Sequence, residues 1–288
     1  MQWQIGSIKI TKLEEVFYPE FPGLLPNVTP ELVKQVKWLS PHFVSPAGHL
    51  SLSIHTLIVE TPEAKLVVDT CIGNDRNVEP YDVMSMMSTT YLDDMRALGY
   101  RPEDIDYVLC THLHFDHVGW NTRLENGRWV PTFPKAKYLM SQRDLDLFGS
   151  VSEHEKDDFL QIQRRTYQDA LLPILDAGLA RPIEGPAKVC EGVCLVPSPG
   201  HSPGHCSVLL ESNGEQALIT GDFLHHPIQC WDPQLSSDAD HDTPAAIVTR
   251  KRMFEEYADR PVLIIGTHFA SPTAGHFVRD GEVYRFNV

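Results

Sequence analysis

The stretch THLHFDHVGW, Thr111–Trp120, places His112, His114, Asp116 and His117 within six residues. It follows DIDYVLC, an apolar run with the character of a buried strand. In an extended chain side chains alternate, so His112 and His114 share one face and Asp116 could continue it. His117 breaks that period of two. A turn is therefore expected there, and Gly119 permits an abrupt one. The four groups then diverge into two pairs, an awkward fit to one tetrahedral ion and a natural fit to two neighbouring ions.

Around this stretch the chain alternates strands and helices. WQIGSIKITKLEEV, LSLSIHTLIVE and AKLVVDT read as strands in the first third, and AKYLMSQ as another. A helix start is expected at Thr29-Pro30, a helical segment over Asp82–Leu98, and a further one over about 152–175. VCLVPSPG, CSVLLES and EQALITGD read as three more short strands. TPAAIVTRKRMFEEYA reads as a helix capped by Thr243 with Pro244 in its first turn, then RPVLIIGTH and VYRFNV as strands. No linker-like stretch divides the chain, so residues 1–288 are expected to form one domain built from two similar α/β halves.

Composition narrows the function classes. The 288 residues are 42% hydrophobic and 22% charged, within the range of globular proteins. A net charge of −15 argues against nucleic acid as a partner, because a phosphate backbone needs a concentrated basic surface. The one dense basic run, Arg250–Arg252, is read as a solvated helix face. No signal-peptide pattern opens the sequence and no apolar stretch is long enough to span a membrane, so a cytoplasmic location without membrane contact is expected. The six cysteines suit reduced thiols, and Cys190 and Cys194 read as strand residues rather than a zinc knuckle.

THLHFDHVGW resembles the H-x-H-x-D-H signature of the metallo-β-lactamase superfamily. LVVDTCIGN, SPGHSPGHCS, ITGDF and IIGTH resemble further elements of that family in the same order, over nearly the whole chain. The resemblance implies an α/β four-layer αβ/βα sandwich holding two divalent metal ions. By it, His112, His114 and His205 hold the first ion, Asp116, His117 and His268 the second, and Asp222 bridges both. Of the two histidines in PGHSPGH the resemblance assigns His205, which leaves His201 a structural or supporting role. Asp69 is expected to orient a ligand histidine. His276 is read as a loop residue facing the pocket. Nitrogen and carboxylate ligands suit zinc, with manganese, iron or cobalt as alternatives.

Two nearby metals can share a water and lower its pKa to near 7, which is the machinery of hydrolysis without a protein nucleophile. In this reading Asp116 and Asp222 orient a metal-bridging hydroxide, and Asp116 takes up the proton released when a tetrahedral intermediate collapses. GHSPG, Gly200–Gly204, matches the serine-hydrolase elbow G-x-S-x-G. It fails as one, because the residue after the serine is Pro203, which has no N–H for an oxyanion hole. The later motifs resemble most the lactonase and methyl-parathion-hydrolase branch, which implies a small lactone or aryl ester as substrate and suggests a homodimer. Phe21–Phe43 and Tyr81–Thr89 are expected to supply an apolar rim. Acyl-homoserine lactonases carry a tyrosine three residues after the bridging aspartate; here His225 stands there, a candidate donor to the carbonyl oxygen. The rival readings are a phosphotriester hydrolase using the same site, a one-iron dioxygenase, and a metal-binding protein without turnover.

Overall fold

A computed structural model describes all residues 1–288. The first sheet contains β1 (Gln2–Ile5), β2 (Ile8–Tyr18), β3 (Leu52–Glu60), β4 (Lys65–Val68) and β5 (Tyr107–Leu109). A side hairpin, β6 (Thr122–Glu125) and β7 (Arg128–Pro131), leaves the sheet, which resumes with β8 (Lys137–Ser141) and β9 (Ala180–Ile183). The second sheet runs in sequence order: β10 (Ala187–Cys190), β11 (Val193–Pro197), β12 (Cys206–Ser212), β13 (Glu215–Ile219), β14 (Val262–Ile265), β15 (Ala274–Asp280) and β16 (Val283–Asn287). Each sheet has seven strands, and the parallel pairs are β4–β5, β5–β8, β8–β9 and β13–β14.

Strand alternation explains how the sheets stack. Leu57, Val59, Leu66, Val68, Leu109 and Leu139 face Val208, Leu210, Ala217, Ile219 and Ile265 in the core between the sheets. The residues between them, such as Ile58, Val67, Val108 and Met140, point the other way. There they meet α2 (Tyr91–Ala97), α4 (Gln142–Gly149), α5 (Asp158–Thr166) and α6 (Leu172–Asp176). On the far side of the second sheet, Leu218 and Ile264 pack against α1 (Pro30–Val33), α7 (Ile228–Trp231) and α8 (Thr243–Tyr257). Two helical layers thus enclose two sheets, the expected αβ/βα sandwich. Leu25, Val33, Leu39 and Phe43 come early in the chain yet pack on the second half.

Three local expectations are corrected. Only Tyr91–Ala97 of the Asp82–Leu98 segment is helical. Asn74 holds the Thr89 backbone through two hydrogen bonds, and Met86 adopts a left-handed φ of 53°. The cap of α8 is Asp242, whose carboxylate accepts from Ala245 N–H at 3.0 Å, one residue before Thr243. Arg250 is fully buried rather than solvated and donates to the carbonyls of Phe223, Pro233 and Leu235. All six cysteines are free, with Cys190 in β10 and Cys194 in β11. No helix is long and apolar enough to cross a membrane.

Candidate metal centre

The site lies where the strand ends β4, β5, β13 and β14 meet the loop between β11 and β12. His112 is in a bend just after β5, and His114, with an extended backbone, stands immediately before α3 (Phe115–Val118), a single helical turn. The turn therefore begins at Phe115, ahead of His117, and it is what separates the two pairs. Gly119 serves close approach rather than turning: its φ is −60°, but a Cβ would lie 1.7 Å from the Ile72 carbonyl oxygen.

Four imidazoles face each other in two pairs. His112 Nε2 is 3.2 Å from His201 Nε2, and His117 Nε2 is 3.1 Å from His268 Nε2. Between the pairs sits Asp222 Oδ2, 3.0 Å from His268, 3.3 Å from His117 and 3.6 Å from His201. Asp116 Oδ2 approaches His268 at 3.6 Å and His117 at 3.8 Å from the cavity side. His112, His114 and His201 form one group of potential ligands, and Asp116, His117 and His268 a second; His112, His117 and Asp222 link them.

The far nitrogens decide whether these residues fit a cation. His117 Nδ1 donates to Asp69 at 2.9 Å, His201 Nδ1 to Asp240 at 2.8 Å and His268 Nδ1 to the Ser53 carbonyl at 3.3 Å. The Thr111 hydroxyl spends its hydrogen on Asp69, so it accepts from His112 Nδ1 at 3.1 Å. With every Nδ1 protonated, all four Nε2 atoms of the neutral rings present lone pairs to one another. Such pairs must either take up extra protons or share a cation. Asp222 Oδ1 is also buried without a partner. Six nitrogen and carboxylate donors around one central carboxylate fit two divalent ions.

The protonation pattern is split between the two sides. Burial holds His112 and His114 well below the usual imidazole pKa, so they are neutral. Burial also opposes charge on His117 and His268, but Asp222 and Asp116 outweigh it and hold both above 6.5. Burial works to raise Asp222, yet His117, His268 and His225 hold its carboxyl well below the ordinary range.

One expected ligand lies apart from these groups. His205 does not join His112 and His114; His201 does. His205 Nδ1 is engaged by Ser198 at 2.9 Å, while Nε2 accepts from the Asp222 backbone N–H at 2.6 Å. Its lone pair is spent on the Asp222 backbone, and burial holds its pKa down to about 3. Gly221 makes this possible: φ is 58° and a Cβ would lie 2.5 Å from His205 Nε2. Gly200, with φ 135°, brings His201 inward where a Cβ would meet the Ala246 backbone nitrogen at 2.3 Å.

His225 does reach the site, with Nε2 3.4 Å from Asp222 Oδ2. Gln229, which the sequence did not single out, accepts from the N–H groups of His225 and His226 and pins that loop. Asp240 carries no sequence signal of its own, being an acid two residues ahead of the Asp242 cap. His276 lies exposed on β15, turned outward because its neighbours Gly275 and Phe277 are the buried ones. Ser202 of GHSPG is buried and donates to Asp144 at 2.7 Å. A cavity of about 360 Å³ opens over the cluster. Its apolar wall comes from Phe21, Leu24, Leu52, Tyr81, Met84, Phe115 and Phe159, so only the beginnings of the two expected rim stretches reach it.

The sequence model of the metallo-beta-lactamase superfamily matches residues 52–279. The N-acyl homoserine lactonase of Bacillus cereus is 25% identical over 235 residues, covering 77% of this chain and 84% of that protein. A probable metallo-hydrolase of Mycobacterium tuberculosis is 25% identical over 192 residues, 62% of this chain and 58% of that protein. Among solved structures, the dizinc quorum-quenching lactonase AidC with a bound homoserine product superposes with a TM-score of 0.81 at 19% identity, over 99% of this chain and 96% of that one. Hydrolase AbOPH of the beta-lactamase superfamily gives 0.81 at 24% identity with the same coverage.

Proposed function

We propose, from the premise that this chain belongs to the metallo-beta-lactamase superfamily, that it is a two-metal hydrolase of lactones or aryl esters. The observation that carries this reading is the close approach of two pairs of Nε2 atoms, at 3.1 and 3.2 Å, on both sides of Asp222 Oδ2. His112, His114 and His201 would hold one ion, Asp116, His117 and His268 the other, with Asp222 between them. Two divalent ions, zinc being the best match to these donors, supply Lewis acidity and lower the pKa of water at neutral pH.

The chain's own groups do the rest. Asp69, Asp240 and the Ser53 carbonyl fix the rings of His117, His201 and His268. Asp116 is 18% exposed on the cavity side, where its free carboxylate oxygen can take a proton from the reacting centre and pass it to the leaving alkoxide. His225 donates Nε2–H toward the substrate carbonyl oxygen. The aromatic wall of Phe115, Phe159 and Tyr81 excludes water and seats an acyl or aryl group. The likeness to the Bacillus lactonase supports a lactone as substrate.

The test is a panel of lactones, aryl esters and phosphotriesters offered to metal-loaded protein, with metal content measured alongside. Two ions per chain, and lactone or aryl-ester cleavage that stops on chelation, is the expected result. Phosphotriester cleavage at a comparable rate moves the substrate class, and bound metal without turnover on any of them refutes the enzyme reading. Full activity in Asp222→Ala removes the bridging role.

A further inference from the structure

The wall of the cavity over the metal centre sets an open aromatic ring beside uncompensated negative charge. Tyr81 stacks on Phe115 with ring centroids 5.8 Å apart and an interplanar angle of 17°, yet 41% of the residue stays exposed. Phe115 covers one face of the ring and leaves the other to solvent or a ligand. Asp238 lines the same cavity and is exposed. Burial, then the negative charges of Asp116, Asp157, Asp238 and Asp158, raise the Tyr81 phenol above its ordinary value, so these acids share its surroundings. None of the 18 residues lining the cavity is a lysine or arginine. Phe159 reaches the wall from α5, but the arginines of that helix are engaged elsewhere. Arg165 donates to the carbonyls of Asn77 and Glu79 at 3.0 and 2.9 Å, and Arg164 lies 3.9 Å from Glu153. Asp222, whose Oδ1 is buried without a partner, lines the same cavity, so this wall is continuous with the reacting centre.

We propose that Tyr81 and Asp238 are specificity-determining residues that select, among esters and lactones, substrates whose non-reacting tail carries a positive charge such as a quaternary ammonium. The charges divide by place. Asp116 and Asp222 are committed to the two ions, and whatever anion those ions draw in is drawn to the reacting centre. A tail that reaches back along the wall meets Asp238 instead, with no cation on that wall to offset it. A cleft with low-dielectric aromatic walls and charge of one sign concentrates its field on such a group. The open face of Tyr81 attracts a cation through the ring quadrupole, and a quaternary ammonium is weakly enough hydrated to leave water for it. A carboxylate or phosphate on the same tail would face Asp238 with no partner and be rejected. An exposed ion pair together with one exposed cation–π contact is worth about 3–30-fold in kcat/KM between an ammonium tail and its uncharged isostere.

The inference rests on the hydrolase reading of this site, and its test separates the two. Zinc-loaded protein is given three phenyl esters whose acyl chains end in trimethylammonium, in its uncharged isostere tert-butyl, or in carboxylate. The expected order of kcat/KM is ammonium, then tert-butyl, then carboxylate. The ammonium advantage should shrink as ionic strength rises to about 1 M, where charges are screened within roughly 3 Å. Asp238→Lys should lower the ammonium-to-carboxylate ratio about 10-fold or more, and Tyr81→Leu should remove most of the ammonium advantage over tert-butyl. Both side chains are exposed, and the melting temperature and zinc content of each variant check that the fold and centre are intact. Equal rates on all three esters, or a preference for carboxylate, overturn the proposal while the hydrolase reading stands. An ammonium-to-carboxylate ratio unmoved in Asp238→Lys removes Asp238 from the role. Cleavage of none of them refutes the hydrolase reading. The charge preference is then read from calorimetric binding of the three matched amides, where tighter binding of the ammonium tail upholds the selection and equal binding overturns it.

Discussion

Replacing His201 and His205 separately by alanine should give two different lesions, although the residues are four apart in a repeated motif. His205→Ala leaves the buried Asp222 N–H without its acceptor, a loss of about 1–3 kcal/mol. Removing a fully enclosed side chain adds a cavity cost, about 2–5 kcal/mol for comparable truncations. The sum, roughly 3–8 kcal/mol, is a large part of a typical 5–15 kcal/mol stability, so the variant melts far lower yet keeps every proposed ligand atom. His201→Ala instead removes the Nε2 that faces His112 at 3.2 Å. The stoichiometry of ions retained after gel filtration from saturating zinc should fall from two to one. The paired assay is metal content by elemental analysis and unfolding by circular dichroism. Loss of an ion in His205→Ala, with two kept in His201→Ala, would refute the geometry argued here.

Other outcomes follow from the same contacts. Gly221→Ala adds a Cβ 2.5 Å from His205 Nε2 at φ 58°, with about 1–2 kcal/mol of left-handed strain besides; weaker zinc binding by calorimetry and a lowered melting temperature are expected. Phe159→Ala removes one face of the apolar wall and should raise KM for aryl or long-acyl substrates by an amount worth about 1–3 kcal/mol, with both ions kept. Ion retention should depend on pH unequally. His112 and His114 are held neutral, whereas His117 and His268 have values above 6.5 and must release protons to bind a cation. As pH falls, the ion on the Asp116–His117–His268 side should leave first, and simultaneous loss of both ions in a pH series of metal content contradicts this. In metal-free protein the sign reverses: stability from charged His117 and His268 is present below about pH 6.5 and is lost as pH rises through their raised values.

The strands were readable from their apolar runs, whereas the four-layer sandwich was implied by the resemblance of the motifs. Leu57 and Val59 against Ile58, or Leu66 and Val68 against Val67, form the continuous apolar runs of a sheet buried on both faces. The cluster on Thr111–Trp120 was equally legible, since metal chemistry needs residue types that chance seldom crowds together. The helix expected over Asp82–Leu98 failed for a nonlocal reason: Asn74, far back in the chain, pairs with the Thr89 backbone and competes with helix formation. Arg250 was misread because a charged residue in a helix is normally solvated. Its three carbonyl partners come from the loop after Asp222, which no local pattern reveals.

The choice between His201 and His205 shows where local reading stops. Both follow Pro-Gly-like turns, both are buried and both have one ring nitrogen engaged within the fold. What separates them is the identity of the second partner. Asp240, reached from the approach to α8, takes the Nδ1 proton of His201 and leaves Nε2 free to face His112. The Asp222 N–H takes the Nε2 lone pair of His205 and leaves nothing for a cation. The two histidines therefore contribute to the same carboxylate from opposite sides, one by holding its backbone and one by facing its side chain. The proposed ligand set turns less on which residues are histidines than on which of their nitrogens the rest of the fold has already used.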